Sequence, residues 1–192
     1  MKKLLISVLL AGAFSQFAWA ADDADAKALD ESRKTAQEFM QKLGAILKQQ
    51  LETGGTESAI TVCKQAAPAL AAEYSTNGRV VKRVSLKPRN KALGTPDEWE
   101  TRKLESAEQA LKSGQAISTI EFSEVRDEAD GRWLRYLKAI PTQPMCLQCH
   151  GKPYQISDSV KARLAAEYPD DQAIGYGAGS IRGAVSIRQK LD

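Results

Sequence analysis

The run Cys146-Leu147-Gln148-Cys149-His150 places two thiols three positions apart, with an imidazole directly behind them. Thiols at that spacing can add across the two vinyl groups of one porphyrin and form thioether bonds. The residue that follows then lies under the iron and offers a ring nitrogen as a ligand. This is the C-x-x-C-H signature of c-type haem attachment. His150 is the single histidine among 192 residues. One covalently attached haem c is therefore expected, held by Cys146 and Cys149, with His150 as its proximal ligand.

Two other chemistries use similar residues. A C-x-x-C pair can be a redox disulfide, but such pairs usually open a helix after a strand. Here Pro141 and Pro144 precede the motif, and Gly151 and Pro153 follow it, so a turn-rich loop is expected. Cys63, Cys146, Cys149 and His150 would make a Cys3His zinc set by count. Neighbouring Cys149 and His150 fit one tetrahedral ion poorly, so haem is the preferred reading.

The sixth position of the iron needs a different residue, because no second histidine exists. Met145 is tied to the motif. Met40, Cys63, a lysine, a tyrosine or an open position remain. Met40 fits helix packing without any iron. With two cysteines on haem, Cys63 is left without a disulfide partner, and a leftover thiol in an exported chain calls for an explanation. Cys63 is preferred, with a buried core cysteine as the plainer alternative. Arg83, Arg89 and Arg182 are candidates for the haem propionates, since guanidinium suits carboxylate by bidentate geometry. Any one of them could equally be an ordinary surface arginine. The glycine-rich run Gly175-Tyr176-Gly177-Ala178-Gly179 lacks the spacing of a phosphate cradle. It is read as a turn that brings backbone and Tyr176 close to a flat group such as the porphyrin edge, with a plain hairpin connection as the alternative.

The elements that position these residues are legible in outline. Residues 1–20 read as a cleaved signal peptide, with Lys2 and Lys3, an apolar run to Phe17, and Ala18-Trp19-Ala20 as the cleavage site. Residues 21–192 are then a single exported domain, expected in a bacterial periplasm without a stable membrane anchor. Removing Lys2 and Lys3 lowers the net charge from +3 to +1, which gives no basis for nucleic-acid binding. A helix is expected over 24–52, ended by Gly54-Gly55. Its charged faces leave open a homodimer contact, though packing on the domain is preferred. Thr56 should cap a second helix, broken or restarted at 65–67 by Pro68. A strand with Val80, Lys82, Val84 and Leu86 alternating should follow. Thr95-Pro96-Asp97-Glu98 is expected to open a helix that stops at Gly114. Strands are expected over 117–125 and 133–140, paired as a hairpin, then a helix over 158–168 and a closing strand over 180–189. The fold class is α+β: an antiparallel sheet with flanking helices and a long N-terminal helix.

The chain also resembles the Tll-type c-haem domain family. The matching stretches are Ala59-Ile60-Thr61-Val62-Cys63 with Ala67-Pro68, Arg83 to Asn90, Pro96 to Glu100, Cys146 to Pro153, Gly175-Tyr176 and Gly179 to Ile187. Together they span about residues 30–190. The resemblance implies a PAS-like fold, His150 and Cys63 as axial ligands, and a role as a haem-based redox sensor. From the motif itself, a monohaem cytochrome that transfers electrons or senses redox state is preferred, with an unnamed redox partner protein. A gas-binding haem sensor and a haem enzyme such as a peroxidase are the alternatives. The enzyme would need an open iron and distal acid–base groups, for which no second histidine is available.

Overall fold

A computed structural model describes residues 15–191, with side chains from residue 23 onward. The charged start and most of the apolar run of the expected signal peptide lie outside the described residues. Among the described residues, no helix is long and apolar enough to cross a membrane.

The first element, α1, is Ser15–Tyr74, interrupted at Gly55 by φ 72° and ψ −178°. That left-handed φ strains any residue with a Cβ, so the Gly54-Gly55 stop read from sequence is present as a sharp kink. Lys42 Nζ lies 2.8 Å from Glu73 Oε1, and the Phe39 and Tyr74 rings meet edge to face. The two arms therefore fold back beside each other. The expected break at Pro68 is absent, and helix continues to Tyr74. Proline removes the hydrogen bond to the Lys64 carbonyl, but buried Ala59, Ile60 and Leu70 anchor the arm on both sides of it.

Four antiparallel strands follow: β1 (Arg79–Val84), β2 (Glu121–Glu128), β3 (Gly131–Pro141) and β4 (Ile181–Lys190), in the order β1-β4-β3-β2. The hairpin of β2 and β3 is as expected, pairing Glu128 with Gly131. The last strand enters the middle of the sheet, with Val84 opposite Ala184 and Tyr136 opposite Ile187. Both faces of β4 are covered, which explains its nearly continuous burial from Ile181 to Ile187. On one face Ala36, Phe39 and Leu70 of α1 pack on Val81, Tyr136, Val185 and Ile187. On the other, Trp99 and Leu104 of α3 (Glu98–Lys112) pack on Val84, Leu137 and Ala184.

The alternation read for β1 is only half right. Val84 is buried, but Val80 is 47% exposed and Val81 takes the core position on the opposite face. The helix cap is also displaced. Asp97, not Thr95, caps α3, receiving the Glu100 N–H while the Glu100 carboxylate receives the Asp97 N–H. A short helix before it, α2 (Lys91–Gly94), was not anticipated. Ile117–Thr119 is a 3-10 turn rather than strand. The motif lies on a 3-10 turn, Pro144–Cys146, running into α4 (Leu147–His150); α5 (Asp158–Glu167) follows. The fold class is α+β, as expected.

Candidate functional site

The site forms where the second arm of α1, the end of β1, the motif and the loop before β4 meet. The motif stays helical just long enough to stack Cys146, Cys149 and His150, and Gly151 then leaves in an extended conformation. All three cysteines are free thiols, each half-buried. Gln148 Oε1 accepts from Thr56 Oγ1 at 2.8 Å, tying α4 to the start of the second arm.

His150 is held in one orientation. Its Nδ1 is 2.7 Å from the Ala173 carbonyl, which can only accept, so Nδ1 carries the proton. Nε2 is thereby the free lone pair, and the Arg182 Nε–H points at it from 3.4 Å. The loop before β4 is stitched to the motif: the Gly175 N–H donates to Gly151 O at 2.8 Å and the Tyr176 N–H to His150 O at 2.9 Å. The Tyr176 ring stands edge-on to the imidazole at 6.2 Å. Burial, with Arg182, Arg89 and Arg83 adding to it, holds the imidazole pKa well below its ordinary 6.5, so the ring is neutral at neutral pH.

The three arginines read from sequence all lie here. Arg89 donates to the Cys149 carbonyl and pairs with Asp171 at 3.0 Å. Arg182 donates to Ser85 Oγ at 3.2 Å and stacks 5.2 Å over the Tyr176 ring. Burial, with Arg83 nearby, brings its pKa down to about 10. Arg83 is different: among the described residues it has neither a carboxylate nor a hydrogen-bond acceptor, and burial depresses its pKa. Burial pushes the Cys63 thiol up, opposed by the Arg83 and Arg89 charges. Burial likewise raises Cys149, opposed chiefly by Arg89.

Cys63 thus shares one electrostatic environment with Arg83, Arg89 and Cys149. Met40 does not: it packs on the α1 and sheet core with Phe39 and Tyr136. Among the described residues no three His, Cys, Asp or Glu side chains converge as a cation cage, so the zinc alternative has no preformed site. Asp171, Ser85 and the Ala173 carbonyl went unread in the sequence. Asp171 orients Arg89, Ser85 joins Arg182 to the Tyr176 hydroxyl at 3.3 Å, and Ala173 sets the tautomer. A backbone carbonyl carries no sequence signal, and Asp171 stands in an ordinary polar turn.

The residues present suit a covalently held haem. Two thiols one helical turn apart, an imidazole whose Nε2 keeps a lone pair facing Arg182, and an arginine with no counter-charge among the described residues match its vinyl groups, iron and propionates. The chain matches the profile of the Tll0287-like family over residues 22–189. No curated protein matches it. Among solved structures it is similar to the crystal structure of the cyanobacterial heme-protein Tll0287, with 22% identity and a TM-score of 0.59. That likeness covers 84% of this chain and 93% of the other, and at this identity it speaks for the fold.

Proposed function

The chain belongs to the Tll0287-like family, and from that premise we propose that it is a monohaem c-type protein working in one-electron transfer. Cys146 and Cys149 would hold the haem covalently, and His150 and Cys63 would ligate its iron. The signal peptide read from residues 1–20 puts its work in the periplasm. The observation that carries the reading is the hydrogen bond from His150 Nδ1 to the Ala173 carbonyl. It commits the tautomer, fixes the ring plane and makes Nε2 the more basic donor, as a histidine ligand to a metal requires.

Haem supplies a one-electron couple at its iron. The chain supplies the rest. Ala173 orients the imidazole, and the loop from Gly175 to Tyr176 is hydrogen-bonded to the backbone beside it. Arg182 rests against Nε2 and must turn away for that nitrogen to serve as ligand. Arg83 offers an uncompensated positive charge for a propionate. Burial raises the Cys63 thiol and the Arg83 and Arg89 charges only partly oppose it, so iron would have to supply the rest of the stabilisation of the thiolate that binds it.

The test is attachment. The Cys146→Ala/Cys149→Ala variant should lose all haem on acid–organic extraction, while the native chain retains one per polypeptide. Haem that survives extraction in the double variant would sink the c-type reading.

A further inference from the structure

The small net charge of the whole chain, +3, conceals an uneven surface around the motif. Immediately beyond His150, the 3-10 turn Pro153–Gln155 presents Tyr154 with 79% of its surface exposed. An aromatic ring held almost wholly in water is unusual, because aromatic side chains normally bury most of their area. Ile174, 37% exposed, stands on the facing loop, one residue before Gly175, whose N–H is bonded to Gly151. These two side chains therefore flank the same end of α4.

Two lysines touch this pair directly and a third lies on the adjoining segment. Lys152 lies 5.9 Å from the centre of the Tyr154 ring. Lys87 donates to the Ile174 carbonyl and sits 4.7 Å over the Tyr176 ring. Lys91 follows two residues after Arg89, which touches the motif backbone at Cys149. All three lysines are exposed, and among the described residues none pairs with a carboxylate. Elsewhere exposed lysines are commonly neutralised: Lys42 by Glu73, Lys64 by Glu167 and Lys161 by Asp158. Lys27 and Lys112 are likewise exposed without a carboxylate partner among the described residues, but each stands apart from other such lysines in the sequence, whereas Lys87, Lys91 and Lys152 lie on the segments that meet at the motif.

We propose that this end is a docking surface for an acidic protein, with Tyr154 and Ile174 at its centre and Lys87, Lys91 and Lys152 around them. The identity of that protein as an electron donor or acceptor rests on the haem reading above; the surface itself does not. An apolar centre with a charged rim is the usual anatomy of a protein contact, and tyrosine is among the residues that anchor one. Lysines on the rim steer an acidic partner and fix its orientation more than they add affinity. A membrane occupant is disfavoured, because two apolar side chains on short turns offer little area to insert, and no amphipathic helix lies here. Nucleic acid calls for a broader basic face.

The surface can be tested on the intact mature protein by amide chemical-shift mapping. The probe is a soluble acidic peptide of repeated Glu-Glu-Leu. Shifts should concentrate at 87–91, 152–154 and 174–175. Lys87→Glu/Lys152→Glu should weaken binding by about tenfold or more and flatten its salt dependence. Tyr154→Ala, at a site too exposed to disturb folding, should weaken it by about fivefold and leave the salt dependence intact. Shifts spread evenly over Lys34, Lys48 and Lys112, or variants that bind as the native chain does, would overturn the proposal. So would phosphatidylglycerol vesicles that engage the patch when the peptide does not. If the native protein carries no covalent haem yet the peptide still binds at this patch, the haem reading fails and the docking surface stands.

Discussion

Replacing Arg83 with methionine should stabilise the haem-free protein. Arg83 is the last residue but one of β1, beside Cys63 and close to the charges of Arg89 and Arg182, and no carboxylate among the described residues answers it. A buried donor left without a partner costs about 1–3 kcal/mol, and more when charged. Arg83 keeps some solvent exposure, so relief of about 2 kcal/mol is expected once the charge is gone, while methionine retains the packing of the stem. For a domain of this size that corresponds to a rise in Tm of about 4–8 °C. The assay is thermal unfolding by circular dichroism in the Cys146→Ala/Cys149→Ala background, with and without Arg83→Met. In the haem-bearing protein the gain should vanish or reverse, because a propionate then supplies the missing counter-charge. An unchanged or lowered Tm in the haem-free pair would refute the argument that this arginine is held at a cost for a ligand's sake.

Cys63→Ala should keep covalent haem, raise the reduction potential and turn the ferric spectrum from thiolate-ligated to high-spin; a spectrum and potential like those of the native protein would make Cys63 a core residue only. In the haem-free chain the imidazole pKa of His150 is depressed on folding, so the unfolded state takes up a proton below about pH 6.5 that the folded state refuses, and stability falls as pH falls. Between pH 7.5 and 5.5 the loss should be about 1.4 kcal/mol by urea titration, and His150→Gln should abolish that increment. Gly183→Ala should destabilise by about 3 kcal/mol in the same assay, because φ is 151° there and a Cβ would stand 2.3 Å from the Val84 carbonyl oxygen. It should also weaken haem retention, since Arg182 precedes it.

How much was legible follows from what each feature depends on. Cys146, Cys149 and His150 declare their chemistry by residue type and spacing, and such a motif needs no tertiary context to be read. The β2–β3 hairpin, α5 and the Gly55 stop were legible for the same reason, since turn residues and periodicity act locally. Local rules failed where packing overrode them. Pro68 breaks an isolated helix, yet the arm persists because Ile60 and Leu70 are buried on either side of it. Two capping signatures overlapped at Thr95 and Asp97, and the one whose Glu100 also meets Ser186 and Lys82 in the core prevailed. The sequence by itself determined the chemical vocabulary of the site: two thiols, one imidazole, a spare cysteine and three arginines. Only the tertiary structure decided their roles, because those roles rest on distances between segments far apart in the chain. It set the His150 tautomer through the Ala173 carbonyl, paired Arg89 with Asp171, left Arg83 without a partner among the described residues and brought Cys63 into the field of both arginines.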